Sequence, residues 1–324
     1  MTLLLSGVVG VALALNAAGG ASNGVPADGP AASQTNAPAD KEYEKLAADD
    51  EAAQTEVELW RRTNKTLTAK GIGMAQPELD RRIRERLDPI DKAYADFLGR
   101  HPNHARARLS YGCFLNERLD EAGAQRQWEK ALELDPGNAD AYSNLAGRYS
   151  EIGPAKKAFE YFNKAIELKP SEASYYHNFA DTLYVLRAHA MAAYGLSEQQ
   201  IFSKALKLYS NAAWLEPRNF TFALDVGQTY YAFKPLPYDE ALGAWTNALR
   251  SAHNQDERED VYLHLARVKF LAGRLSEARA QLDSVTNQSR ANLKAALLRH
   301  IEEEGQTAKP TSDPPRAGNN ERKK

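Results

Sequence analysis

Apolar residues recur along this chain with two superimposed periods. The short one is helical: Leu46, Ala53, Val57 and Trp60, with Tyr43 one turn earlier, form one apolar stripe, the spacing of an amphipathic helix face. The long one is thirty-four residues, since Gly112, Ala124, Trp128, Ala131 and Pro136 return as Ala146, Ala158, Phe162, Ala165 and Pro170. A fixed period of that length marks an array of helical hairpins. Upstream, Gly71 and Gly73 stop the first stripe and a second helical stretch begins near Pro77. Asp88 followed by Pro89 supplies a cap and a first-turn proline, which predicts a further helix start there. Tyr94, Phe97 and Pro102 precede Trp128, Ala131 and Pro136 by the same thirty-four residues, as the second helix of a degenerate first repeat.

The period is broken once by a long insertion. Helical pattern runs from Ala173 through Tyr194, Gly195 interrupts it, and Ser197 with Gln200 forms a capping box for a helix reaching about Leu215. Thirteen extra residues divided between two antiparallel helices predict a hairpin, 184–202, that projects roughly 10 Å beyond its neighbours. Its tip carries Leu186, Met191, Tyr194, Leu196, Ile201 and Phe202. Two readings stay open: Met191, Tyr194 and Phe202 dock a partner or a second copy, or the N-terminal helix or a neighbouring repeat covers them. A last helix, about 289–304, is apolar on one side through Leu293, Ala296, Leu297 and Ile301 and is expected to cap the array.

The repeats resemble the tetratricopeptide repeat family, whose signature sets large apolar, Leu-Gly, Tyr, Ala, Phe and Pro at fixed offsets. The clearest copy reads Tyr142, Leu145, Ala146, Tyr149, Ala158, Phe162, Ala165, Pro170; the copy before it reads Arg108, Tyr111, Gly112, Leu115, Ala124, Trp128, Ala131, Pro136. A third has Tyr176, Phe179, Ala180 and Leu183, then, after the insertion, Ala205, Tyr209, Ala212 and Pro217. The fourth is Ala223, Val226, Gly227, Tyr230, Ala241, Trp245, Ala248, with two extra residues near Lys234-Pro235-Leu236-Pro237, and a weaker fifth is Tyr262, Leu265, Ala266, Ala278, Leu282. Small residues let the helices of a hairpin approach, and large ones fill the space between hairpins.

The resemblance implies an all-α fold, a right-handed α-solenoid of stacked antiparallel helix hairpins. It implies that the first helix of each hairpin lines a concave groove. Residues at i, i+4 and i+7 share a helix face, which nominates Leu109, Cys113 and Asn116; Ser143, Gly147 and Ser150; His177, Asp181 and Tyr184; Leu224, Gln228 and Tyr231; and Leu263, Arg267 and Phe270, bordered by Asn144, Asn178 and Asp225. Of these, Asn144, His177, Asn178, Asp181, Tyr184, Gln228, Tyr231 and Arg267 are the candidates for holding a protein or peptide partner, against the alternative that they are only the wet face of ordinary helices. Some family members clamp a peptide's terminal carboxylate with lysines, arginines and asparagines. Here Leu109, Cys113, Ser143, Gly147 and Ser174 stand where the clamp places most of its donors, so a chaperone-type clamp is not expected.

The remaining signals bound the function. Leu3–Leu15 is almost wholly apolar and is followed by small residues, the pattern of a secretory leader, although no Lys or Arg precedes Leu3. The expected organisation is a signal peptide or uncleaved anchor at 1–21, a linker at 22–40, N-terminal helices at 41–87, the array at 88–285, a capping helix at 286–304 and a tail at 305–324. The protein is then expected to be exported, periplasmic or secreted, touching a membrane only if the N-terminal segment stays uncleaved. Lys+Arg 41 against Asp+Glu 43 leaves a net charge of -2, without the basic footprint of nucleic-acid binding. The single cysteine, Cys113, excludes an internal disulfide and any cysteine-built zinc site. His101 and His104 flank Pro102 in a turn and read as solvated, and no phosphate loop, nucleophile elbow or H-E-x-x-H pair is present. No cofactor, metal or catalytic residue is expected. The function read from the chain is a non-enzymatic scaffold that binds a partner segment in its groove; the alternative is a structural or assembly factor that self-associates through the projecting hairpin.

Overall fold

The structure, a computed structural model, describes residues 37–307. The expected leader, most of the linker and most of the tail lie outside the described residues. These form fourteen α-helices and no strand, and they divide after Gly195 into two compact units.

The first unit comprises α1 (Ala37–Thr68), α2 (Gln76–Arg100), α3 (Ala105–Glu117), α4 (Glu121–Leu134), α5 (Ala139–Ile152), α6 (Ala155–Leu168), α7 (Ala173–Val185) and α8 (Arg187–Tyr194). Side chains just outside the helices take up exposed first-turn amides: His104 accepts from the Ala107 N–H, Asp120 from Gly123 and Asn138 from Ala141. Such caps stabilise a helix start by about 1 kcal/mol each. Helices α1 and α2, α3 and α4, and α5 and α6 pair as hairpins, and successive hairpins pack on one another. Their shared core holds Tyr94, Phe97, Phe114, Trp128, Leu145 and Tyr149 around the small residues Ala107, Ala124 and Ala158. The periodic small positions are there for close approach: a methyl built on Gly112 would lie 2.4 Å from Nε1 of the Trp128 indole.

Two expectations are corrected here. Helix α2 does not restart at Pro89 but passes through it. Leu87 and Ile90 on either side are buried against the α1 hairpin, and Asp88 does not cap, because its carboxylate accepts from Arg118 at 2.8 Å. Burial of the flanking apolar residues outweighs the one backbone hydrogen bond that proline cannot make. Nor does one helix continue from Ala173 to Tyr194. It breaks at Leu186, and the short α8 turns back onto α6.

The second unit comprises α9 (Glu198–Leu215), α10 (Phe220–Thr229) with a 3₁₀ turn at Tyr230–Ala232, α11 (Tyr238–Ser251), α12 (Gln255–Leu271), α13 (Leu275–Asp283) and α14 (Ala291–Thr307). The Ser197/Gln200 capping box starts α9. Trp245 is wholly buried among Ala223, Ala241, Ala248, Val261, Leu265 and Val268. A second core forms where helix α14 lays Ile301 against Ala266, Ala278 and Leu282. The turn leading to it is tied down by Glu259, a buried carboxylate that accepts from Thr286 Oγ1 (2.8 Å), the Asn287 N–H (2.8 Å) and Gln255 Nε2 (3.0 Å).

Candidate interaction face

In the first unit the nominated positions lie on α3, α5 and α7. Asn144 on α5 reaches α3, donating to Cys113 Sγ at 3.4 Å. Burial pushes the Cys113 thiol up to about 12, so it stays protonated and inert. Ser143 is buried, and the Ser150 hydroxyl donates to the Gly147 carbonyl on its own helix at 2.6 Å, so both serines are withdrawn from the face. His177 and Asp181 stand side by side on α7 with 3.6 Å between Nδ1 and Oδ2. Asn178 and Tyr184 are half-buried beside them. The result is a face of neutral amides with one imidazole–carboxylate pair.

The second unit presents a different chemistry. Tyr231 at the end of α10, Trp245 on α11, and His264 and Arg267 on α12 make one cluster. His264 stacks on Trp245 with ring centroids 4.0 Å apart and planes 3° from parallel, and its Nδ1 lies 3.2 Å from the Tyr231 hydroxyl. The Arg267 guanidinium sits 4.7 Å over the Tyr231 ring, a cation–π arrangement. Burial, with Arg267 adding to it, lowers His264 to about 4, so the imidazole is neutral at pH 7. Burial likewise raises the Tyr231 phenol, against the pull of Arg267. Gln228 is half-buried, Leu224 packs against the Trp245 core, and Leu263 and Phe270 pack against the core of Ala266, Leu282 and Ile301. The sequence nominated Tyr231, Gln228 and Arg267 and did not nominate His264, because only packing brings Trp245 beneath it.

Similarity to known proteins agrees with this geometry. No protein-family model matches the sequence, and no curated protein matches it. Among solved structures, YrrB, a TPR protein with an unusual peptide-binding site, superposes with a TM-score of 0.50 over 66% of this chain and 99% of its own, at 17% identity. The C-terminal part of a TPR repeat-containing protein from Cytophaga hutchinsonii superposes with a TM-score of 0.51 over 79% of this chain and 98% of its own, at 15% identity. The described residues share the fold of tetratricopeptide-repeat proteins.

Within the tetratricopeptide array the insertion does not leave an open apolar tip. Tyr194 stacks on Phe159 of α6 with centroids 5.7 Å apart, and Ala190 is buried. In the second unit Ile201 and Phe202 are buried, Phe202 to 7% exposure, and Phe202 faces the Phe233 ring at 6.5 Å. Gln199 meets the same turn, donating to the Ala232 carbonyl and accepting from the Lys234 N–H, both at 3.2 Å. The two departures from the repeat period are thus fitted to each other's vicinity, the start of α9 bracing the turn before α11. Met191 alone of the three tip candidates keeps partial exposure without a ring partner. The histidine turn also differs from its solvated expectation: His104 Nε2 lies 3.1 Å from Asp40 and His101 Nε2 3.6 Å from Glu42 on α1. Among the described residues no group of three or more His, Cys, Asp or Glu side chains is placed to hold a metal ion, and no helix is long and apolar enough to cross a membrane.

Proposed function

We propose that this tetratricopeptide-repeat protein is a non-enzymatic protein-interaction scaffold that holds an extended polypeptide segment against the first helices of its hairpins. The observation that carries the reading is the state of Gln228 and Arg267. Both are half-buried, neither has a hydrogen-bond or ion-pair partner among the described residues, and Leu224 lies one turn from Gln228, as Leu263 and Phe270 lie one turn from Arg267, by helical spacing. Amide and guanidinium donors framed by apolar side chains suit a polypeptide, whose backbone carbonyls need donors and whose side chains need shallow pockets. On the first unit, Asn144 and Asn178 offer the same amide chemistry. The likeness in fold to YrrB supports the reading, since that protein has a peptide-binding site.

The test is capture and measurement. Residues 37–307 bind a partner from an extract, the partner's segment is mapped by proteolysis, and its affinity is measured by calorimetry. The Gln228→Ala, Arg267→Ala double variant and the Asn144→Ala, Asn178→Ala double variant should each weaken it at least tenfold; unchanged affinity in both variants refutes the reading. The self-associating alternative rested on an uncovered hairpin tip, and Tyr194 and Phe202 are covered. We place the protein outside the cytoplasm on the apolar pattern of Leu3–Leu15, and mass spectrometry of the mature N-terminus tests that placement. A start at Met1 in protein recovered from the cytoplasm overturns it.

A further inference from the structure

We propose that the tip of the first hairpin, where α1 turns into α2, docks end-on to a bilayer bearing anionic lipid headgroups. The inference goes beyond the groove and does not depend on it. Residues 60–86 hold eight Lys or Arg against three Asp or Glu, in a chain whose net charge is -2. The excess is local, since the preceding part of α1, 37–59, holds two Lys against eight Asp or Glu. Within the basic stretch Arg81 is taken by Glu78 and Glu85, and Arg86 by Glu56. Arg62, Lys65, Lys70 and Arg84 are exposed and have no ion pair among the described residues. They stand on both helices and in the turn, within roughly 12 Å of it along the helix axes, so they ring the end of the hairpin. Uncompensated cations gathered at one end of an otherwise acidic chain attract an anionic surface and orient the molecule toward it.

The turn itself separates a membrane from other polyanions. The Asn64 side chain clasps Met74, donating Nδ2–H to its carbonyl at 3.1 Å and accepting its N–H at 2.6 Å. The Gly71 N–H donates to the Thr68 carbonyl at 2.9 Å and the Ile72 N–H to Leu67 at 3.1 Å. Gly71 is left-handed at φ 75°, and a side chain at Gly73 would collide with Thr68. This closely specified turn holds Ile72 outward, 70% exposed, where it contributes little to the core. An aliphatic side chain set among cations is the arrangement of a peripheral membrane contact, with headgroups bound around an apolar wedge. Nucleic acid rewards free rings on which bases stack. The single aromatic residue of the stretch, Trp60, is half-buried against the hairpin core, with the Arg82 guanidinium 3.9 Å from its ring centre.

The test measures partition of the full chain onto vesicles of phosphatidylcholine alone and of equimolar phosphatidylcholine and phosphatidylglycerol. Any contribution of the uncharged stretch Leu3–Leu15 is then common to both. Binding should be stronger on the charged vesicles, and the gain should fall with added salt. The Arg62→Gln, Lys65→Gln, Arg84→Gln variant should lose that gain by about fivefold per cation removed. The Lys130→Gln, Lys156→Gln, Lys164→Gln variant makes the same change of charge on α4 and α6, at exposed lysines paired with Glu133, Glu160 and Glu167, and should bind as wild type. Ile72→Ser should weaken binding to charged vesicles about tenfold. Circular dichroism should be the same for all variants, since every substituted side chain lies outside the core. Equal partition of wild type onto the two vesicles overturns the proposal, as do equal losses in the two triple variants or an Ile72→Ser variant that binds as wild type. Tight binding of a labelled oligonucleotide that the tip triple variant loses and Ile72→Ser keeps, without a gain on charged vesicles, overturns it in favour of nucleic acid.

Discussion

The register of the array makes a quantitative prediction at Gly227. A methyl built there would lie 2.8 Å from both Cδ2 and Cε2 of Trp245, well inside van der Waals contact, and the indole cannot retreat because it is wholly buried. Gly243, on the exposed side of α11, has nothing within 4 Å of the same position. Glycine to alanine in a helix interior gains about 0.5–1 kcal/mol at either site by removing backbone freedom from the unfolded chain. Gly243→Ala should therefore stabilise by that amount. Gly227→Ala carries the same gain and, against it, an overpacking cost of about 1–3 kcal/mol. The propensity contribution cancels between the two variants, so their difference isolates the steric cost. Urea titration followed by circular dichroism at 222 nm measures it, with Gly227→Ala less stable than Gly243→Ala by about 1–3 kcal/mol. In the Gly227→Ala background, Trp245→Phe should cost less than it does in wild type, a coupling expected of touching residues. If Gly227→Ala proves as stable as Gly243→Ala, the pairing of small and large positions is not what sets the spacing of this hairpin.

Three further outcomes follow from single side chains. Hydrogen bonds from Gln255 and then the Asn287 N–H and Thr286 depress Glu259 to about 2 from the ordinary 4.5, so its contribution is complete above pH 4.5 and is lost as pH falls through about 2; urea midpoints from pH 5 to 2 should fall more steeply for wild type than for Glu259→Gln. His264 falls to about 4 from 6.5, so the unfolded chain takes up a proton first and stability declines below pH 6.5; its imidazole resonances should titrate near 4, and a midpoint near 6.5 contradicts the stacked geometry. His104 accepts the Ala107 N–H at Nδ1 while Nε2 faces Asp40, and burial lowers its affinity for a proton. Protonation there removes the cap of α3, so the protection factor of the Ala107 amide should fall as the pH is lowered below 6.5 in wild type and not in His104→Asn, which keeps a capping oxygen.

The repeat register was legible in the chain because it is local. Gly112 meets Trp128 sixteen residues on and Gly227 meets Trp245 eighteen residues on, and helix, turn and helix between them are written in short-range periodicity and caps. Helical hairpins follow from that alone. The passage of α2 through Pro89 did not follow, since it depends on Leu87 and Ile90 finding α1 and on Arg118 drawing Asp88 away, contacts that local propensity does not contain.

The candidate site divides the same way. That Gln228 and Tyr231 were nominated together follows from helical spacing, and that Arg267 joined them follows from the repeat resemblance. That Arg267 lies over Tyr231, that Trp245 supports His264, and that Arg290 holds Asp260 are decisions of the folded state, because they join residues from different helices whose distance in sequence carries no periodic signal. The insertion shows the limit most clearly: its apolar residues were visible from the start, but burial depends on what stands opposite, and only the packed structure places Phe159 before Tyr194 and Phe233 before Phe202.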